Sequence, residues 1–470
     1  MKDTKISEDI IYIGADDKEI DLFESQYIVP NGISYNSYLI LDEKIAVMDT
    51  IDKRKTDEWL KKLDNSLNGR TPDYLVVSHM EPDHAANIKN LIDKYPNIKI
   101  VSNSKVFSFI PQFFDIPDLE ERKIEVKEGD ILNLGKHTLQ FIMAPMVHWP
   151  EVMMEYEQTE KILFSADAFG KFGALDTDED WDCEARRYYF NIVGKYGAQV
   201  QAVLKKSSAL DIKTICPLHG PILKENLEHY IGQYNTWSSY TPESEGIFIA
   251  CASIHGNTMN AAKELKKILE EKGAKKVVLS DLSREDWAEC VEDAFRYGKI
   301  ILMSSTYNME IFTPMEQLLH HLKAKNYQNR TVGIVENGTW APNAAKEFKK
   351  ILEEKGVKKV VLSDLAREDW AECVEDAFRY EKIILMSSTY NMGIFTPMEQ
   401  LLHHLKAKNY QNRTVGIVEN GTWAPNAAKC IKELLEQMKD IKIIEPIVTI
   451  KSTLNEETKK QLEQLADNVL

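Results

Sequence analysis

The sequence predicts an α/β protein of two domains, a strand-rich one at 1–243 and a parallel-sheet one at 244–470. Three observations carry this. Seven residues of metal-ligand type, His79, Glu81, Asp83, His84, His148, Asp167 and His219, each follow an apolar run that reads as a strand: DYLVVS (73–78), LQFIMA (139–144), KILFSA (161–166) and IKTICP (212–217). From Ile247 onward, strands of five to seven apolar residues alternate with helices of ten or more, the pattern of a parallel sheet covered on both faces. Between them lies SSYTPESEG (238–246), polar and holding Pro and Gly, where the boundary is placed.

Length and composition narrow the class. A chain of 470 residues has room for two or three domains, and 43% apolar residues are enough for full-size cores. No run approaches the roughly 18 apolar residues of a membrane span. The opening MKDTKISEDI lacks the apolar core of a signal peptide, so a cytoplasmic location is expected. A net charge of −16 argues against nucleic acid and suits docking to a basic patch on a small redox partner. The cysteines (Cys183, Cys216, Cys251, Cys290, Cys373, Cys430) form no C-x-x-C pair, which excludes a zinc ribbon or a rubredoxin-type centre. Isolated thiols of this kind are expected to be reduced and structural.

In the first domain, ISYNSYLILDEKIAVMDT (33–50) alternates like a hairpin with DEK as its turn. Helical patterns follow at 183–209 and 223–234. A single His at a strand end is more often a polar turn residue than a ligand. SHMEPDH (78–84) differs: it sets His79, Glu81, Asp83 and His84 within six positions behind a buried-type strand. Desolvating such a group is costly without a cation to pair it. Seven ligands exceed one tetrahedral zinc and suit a two-metal site.

These residues resemble the metallo-β-lactamase fold, whose zinc members carry H-x-H-x-D-H at this place. Here Glu81 stands where the second His would be. A carboxylate in place of imidazole makes the site harder and more anionic, which suits iron better than zinc. With the flavin loops below, the pattern is similar to the flavodiiron proteins, which reduce dioxygen or nitric oxide. The resemblance implies an αββα sandwich followed by a doubly wound, flavodoxin-like domain.

The second domain orders itself as GIFIACAS, a helix from Met259, KKVVLSDL, a helix from about Glu285, KIILMSS, a helix from Thr313, and TVGIVEN. The chain then repeats itself. Residues 261–346 match 344–429 at an offset of 83, with five differences: Leu265/Phe348, Ala274/Val357, Ser283/Ala366, Gly298/Glu381 and Glu310/Gly393. So little divergence reads as a recent or engineered tandem duplication. Inserting a helix–strand unit keeps every crossover intact, and the sheet is expected to extend from five parallel strands to eight; the rival is that one copy stays partly unpaired and mobile.

Ligands of an open parallel sheet bind beyond the carboxyl ends of its strands. Three loops there suit flavin mononucleotide (FMN). SIHGNTMN (253–260) offers Ser253, His255, Gly256, Asn257 and Thr258 to cradle a phosphate at a helix N-terminus. SSTYNMEIF (304–312) offers Ser305, Thr306, Tyr307 and Asn308, and ENGTWAP (336–342) offers Asn337, Gly338, Thr339 and Trp340. A single Gly-Asn turn is a modest signal; all three loops together make the case. The second and third loops recur at 387–395 and 419–425 while the phosphate loop occurs once, so one FMN per chain is expected. Connectivity favours the first copy for its seat. Gly393, standing where the first copy has Glu310, speaks for the second.

The resemblance also implies roles. His79, Glu81 and His148 would hold one iron, Asp83, His84 and His219 the other, and Asp167 would bridge them. FMN would relay electrons from an external donor such as rubredoxin, and a head-to-tail homodimer would set one subunit's flavin beside the other's irons. Trp149, Tyr188 and Tyr189 are candidates either as groups supporting these ligands or as aromatic packing. Two rival functions remain: a zinc-dependent hydrolase on the same fold, and an electron carrier whose metal site is structural.

Overall fold

Alternating apolar side chains along short strands build the N-terminal part of this computed structural model. Residues 4–307, 310–337, 370–379, 382–390, 393–394, 396–420, 425–450 and 456–469 are described. One sheet orders β1 (Ile10–Tyr12), β2 (Tyr38–Ile40), β3 (Ala46–Met48), β4 (Tyr74–Val76), β5 (Lys99–Ser102) and β6 (Lys123–Glu125) side by side. A second orders β7 (Ile131–Asn133), β8 (Thr138–Met143), β9 (Met153–Glu157), β10 (Ile162–Phe164) and β11 (Thr214–Cys216). The period of two decides which side chain goes where. Ile40, Met48, Val76 and Val101 meet Phe141, Met153, Ile162 and Phe164 between the sheets. Their neighbours Leu39, Val47, Leu75 and Ile100 face the other way, onto Trp59 and Leu63 of helix α1 (Thr56–Leu67). The hairpin expected at 33–50 is β2–β3, and the layers form the expected αββα sandwich.

The helix expected at 183–209 is interrupted. Helix α2 (Trp181–Tyr188) runs into a π-helical turn at Tyr189–Val193, then a 3-10 turn, and α3 (Gly197–Ser207) resumes. Close approach explains the restart: a Cβ on Gly197 would stand 2.3 Å from the Ser238 carbonyl oxygen. The next helix, α4 (Leu227–Ser238), starts later than its pattern does, because Leu223 bridges back to Ile215 and Asn226 turns left-handed at φ 54.

The contacts divide the chain into two units, Met1–Val360 and Val361–Leu470. The first includes both the sandwich and a parallel sheet of β12 (Ser244–Ala252), β13 (Val277–Asp281), β14 (Tyr297–Tyr307) and β15 (Thr331–Asn337), in the order β13-β12-β14-β15. Helix α5 (Asn257–Glu271) covers one face. Helices α6 (Trp287–Arg296) and α7 (Thr313–Ala324) cover the other, and α6 docks on the sandwich. The Phe295 ring stacks on Phe190 at 4.3 Å, and Trp287 lies 3.7 Å from His321 and 5.3 Å from Tyr27, centroid to centroid. Two buried arginines fasten the rim: Arg186 pairs with Glu243 at 2.7 Å and with Glu292, and Arg187 with Asp286 at 2.7 Å and Glu289 at 3.0 Å. The linker at 238–246 therefore joins two parts of one unit, with Tyr240 buried and Ser239, Thr241 and Glu245 exposed.

The second unit repeats this logic with part of the set. Strands β16 (Lys382–Tyr390), β17 (Gln411–Asn420), β18 (Lys439–Ile443) and β19 (Val448–Ile450) are parallel, β18 and β19 both pairing with β17. Helices α8 (Trp370–Arg379), α9 (Thr396–Ala407), α10 (Ala427–Leu435) and α11 (Glu456–Val469) accompany them. The eight-stranded extension is not what the described residues form: they make two separate sheets. The final strands follow the second copy in sequence, and loop-closure entropy favours the nearest acceptor, β17. The second KKVVLSDL, 358–365, lies outside the described residues.

Candidate metal centre

Every expected metal ligand sits just past a strand. His79 and Glu81 follow β4; Asp83 and His84 lie on the single helical turn Pro82–Ala85 that begins with a proline; His148 follows β8, Asp167 follows β10 and His219 follows β11. The structure brings all seven together. His79, Glu81, His148 and Asp167 offer donor atoms within 4.8 Å of one another, and so do Asp83, His84 and His219. Asp167 faces both groups. Its Oδ2 is 3.2 Å from His79 Nε2 and 3.4 Å from His148 Nε2, while Oδ1 is 3.3 Å from His84 Nε2 and 3.7 Å from His219 Nε2.

Partners behind the ligands aim them. His79 Nδ1 meets the buried Glu151 carboxylate at 2.9 Å, which also accepts the Met80 N–H, so Nε2 is turned inward. His219 Nδ1 donates to the Ser34 carbonyl at 2.7 Å with the same result. Under the His79 strand end, Asp49 accepts the Ser78 N–H and Ser78 Oγ donates to Glu155, both carboxyls buried and Asp49 raised to about 6 by burial. Met146, Ala166 and Phe169, beside His148 and Asp167, hold left-handed φ of 66°, 49° and 67° without being glycine. Such strain costs about 1–3 kcal/mol per residue and marks turns that the surroundings impose.

The electrostatics ask for cations. Burial alone would push His79 down, but Asp167, Glu151 and Glu81 override it and hold the imidazole up at about 9. Burial would likewise raise Asp167, yet His79, His148 and His84 keep it well below the usual carboxylate range. Both carboxylate oxygens of Asp83 and of Asp167 are buried without a hydrogen-bond partner. Acceptors packed against acceptors with lone pairs unused are what a pair of metal ions would satisfy.

Of the aromatic residues noted in sequence, Trp149 edges His79 at 5.2 Å and Tyr188 lies 5.6 Å from His219. Tyr189 packs instead on Tyr234 and Trp237. Sequence reasoning passed over Glu151, Ser34, Phe23 and Tyr35; Phe23 and Tyr35 stand 5.3 and 6.0 Å from the His219 ring. Only Glu151 left a trace, as an acid three residues beyond His148.

The flavin loops converge in the first copy. Gly256, at φ 84, opens α5, and Thr258 on its first turn bonds Ser305 Oγ at 2.9 Å and accepts from Asn337 Nδ2 at 3.1 Å. Residues of the first, third and fourth strand ends thus share one hydroxyl at a helix N-terminus. Ser253 Oγ is buried without a partner there, while His255 and Tyr307 are exposed. Thr306 ends in β14, Asn257 begins α5, and Asn308, Gly338, Thr339 and Trp340 lie outside the described residues.

Residues 33–220 match the family model described as ODP family beta lactamase. The chain is 29% identical over 360 residues to the uncharacterized protein MJ0732 of Methanocaldococcus jannaschii, covering 75% of this chain and 90% of the relative. It is 29% identical to the anaerobic nitric oxide reductase flavorubredoxin of Aliivibrio fischeri, over 76% of this chain and 74% of the relative. The flavodiiron protein of Giardia intestinalis superposes with a TM-score of 0.71 at 25% identity, over 76% of this chain and 88% of that one. Relatives and structural neighbours of this chain are flavodiiron proteins. The cofactors expected from sequence, a diiron centre and FMN, are those that such proteins carry. The carboxylate-rich cluster and the residues that meet at Thr258 occur in one unit.

Proposed function

We propose that this chain is a diiron flavoprotein that reduces dioxygen to water, nitric oxide to nitrous oxide, or both. The observation that carries the reading is Asp167, which turns one oxygen to each of two ligand groups, with Glu81 in the first of them. His79, Glu81 and His148 would hold one iron and Asp83, His84 and His219 the other, with Asp167 serving both. Two such ions supply adjacent binding positions and electrons for a diatomic gas. The protein's share is orientation: Glu151 and Ser34 fix two imidazoles, Trp149 packs on His79, and Tyr188, Phe23 and Tyr35 pack on His219.

FMN is seated in the first copy, on Ser253, His255, Gly256, Asn257, Thr258, Ser305, Thr306, Tyr307, Asn308, Asn337, Gly338, Thr339 and Trp340. The Thr258–Ser305–Asn337 contacts support that copy. Residues 1–243 serve as the metal domain and 244–470 as the flavin domain. The donor is rubredoxin or a similar small redox protein; the relative named flavorubredoxin is in keeping with a rubredoxin-type donor. A head-to-tail homodimer in the cytoplasm completes the reading.

Metal content of protein purified without air tests it. About two irons per chain, followed by steady consumption of dioxygen or nitric oxide by the reduced protein, is the expected result. Zinc in their place would favour the hydrolase reading, in which Glu81 serves as an anionic zinc ligand.

A further inference from the structure

The duplication gives nearly every residue of 261–346 a twin of the same type 83 positions on, so a difference between twins reports surroundings alone. Strands β15 and β17 are such twins, both reading TVGIVEN, at 331–337 and 414–420. Strand β17 is paired on both edges, by β16 and by β18 with β19. Among the described residues, β15 pairs with β14 alone. The side chains follow the edges. Val418 is 3% exposed, packed with Ile444, Val448 and Leu465, whereas its twin Val335 is 37% exposed. A Cβ on Gly416 would meet Leu465 Cδ1 at 3.2 Å; one on Gly333 would meet only Ile301 and the Ile300 carbonyl.

An open strand edge is a template for another strand, and side-chain fit on its faces selects which one. The fit is already demonstrated, because the segment 439–469 (β18, β19 and α11) lies on this same sequence in β17. We propose that β15 is a second seat for this C-terminal cap of the same chain, and that the cap exchanges between β17 and β15. On β15 it would add a fifth strand beyond β13-β12-β14-β15 and leave the second copy as a looped-out insertion. A tether of about a hundred residues between β15 and β18 (337–439) favours the chain's own cap over a neighbour's, since tethering sets an effective concentration on the order of millimolar.

The second seat bears on the flavin loop, a consequence that rests on the flavin reading. β19 pairs with Val418, Glu419 and Asn420, and Thr449 Oγ1 donates to Glu419 at 2.9 Å. The twin positions are Val335, Glu336 and Asn337, and Asn337 Nδ2 donates to Thr258 Oγ1 at 3.1 Å. A cap on β15 would brace Asn337, and bound FMN would draw the cap towards it.

Thr414 stands opposite Lys442 in the parallel register, and the twin of Thr414 is Thr331. Full-length protein carrying Cys183→Ser and Cys430→Ser, with either Thr414→Cys/Lys442→Cys or Thr331→Cys/Lys442→Cys, is oxidised mildly with and without FMN and mapped by peptide mass. Both pairs are expected to close within one chain, and FMN is expected to raise the 331–442 yield severalfold. A 331–442 pair that stays reduced while 414–442 closes, or that closes only between chains, would overturn the proposal. Flavin absorbance is read separately, so a protein that binds no FMN removes the flavin reading and leaves the two-seat result standing.

Discussion

Nε2 of His79 points at Glu81 and Asp167 because Glu151, fully buried beneath it, holds Nδ1. Removing that anchor leaves the ligand in place but free to turn. Glu151→Gln is expected to weaken iron retention about 10–100-fold against a competing chelator while the far-ultraviolet spectrum stays unchanged. Unchanged retention would mean that packing against Trp149 suffices to hold the ring. The seven residues that cluster were legible in the sequence because each is a polar ligand type placed where an apolar run stops. Glu151 and Ser34 were not, since their role exists only once strands far apart in sequence bring them behind an imidazole.

At the scale of elements, helix α6 shows how much the surroundings add to a fixed sequence. Phe295 is fully buried on Phe190, whereas its twin Phe378 in α8 is half-buried. Phe295→Ala should cost about 3–5 kcal/mol, read as a shifted denaturation midpoint, and Phe378→Ala clearly less. Equal losses would show that the second copy is as firmly packed as the first. The His321–Trp287 stack adds a pH dependence. Burial, with Lys325 and His320 nearby, lowers His321 from 6.5 to about 4. In the unfolded chain it takes a proton near 6.5 and in the folded chain only near 4, so its contribution is present above about 6.5 and is lost as pH falls towards 4. His321→Gln should flatten that limb of the stability profile; an identical acid limb would assign it to other groups. Helices α6 and α7 were readable from apolar spacing. The break before Gly197 was not, because the close meeting of Gly197 with Ser238 joins segments about forty positions apart.

For the whole molecule, the alternation of strands and helices indicated the parallel sheet, the resemblance of the ligand-type motifs implied the sandwich, and the repeat was visible at once. How the repeat would be accommodated was not, because an added strand–helix unit satisfies every local rule whether the sheet grows or divides. The outcome depends on which acceptor edge the last strands reach. Deleting 344–426 removes one copy, 83 residues, and rejoins the chain at an identical sequence, APNAAK. The shortened protein should unfold in a single calorimetric transition with FMN and metal retained, and the full chain in two. Two transitions after the deletion would place the division elsewhere, between the sandwich and the parallel sheet.

The exposed Val335 and covered Val418 sit in stretches with the same amino acids on either side, which makes the chain its own reference for amide exchange. Ordinarily protection mixes two influences, the intrinsic chemistry of the local sequence and the opening of the fold around it. Here the first cancels between copies, and any difference in deuterium uptake is opening alone. The same identity blinds a mass spectrometer, since most peptides from the two copies weigh the same. Cleavage must therefore leave peptides that carry Leu265/Phe348, Ala274/Val357, Ser283/Ala366, Gly298/Glu381 or Glu310/Gly393. Those five positions label which copy each deuteron entered.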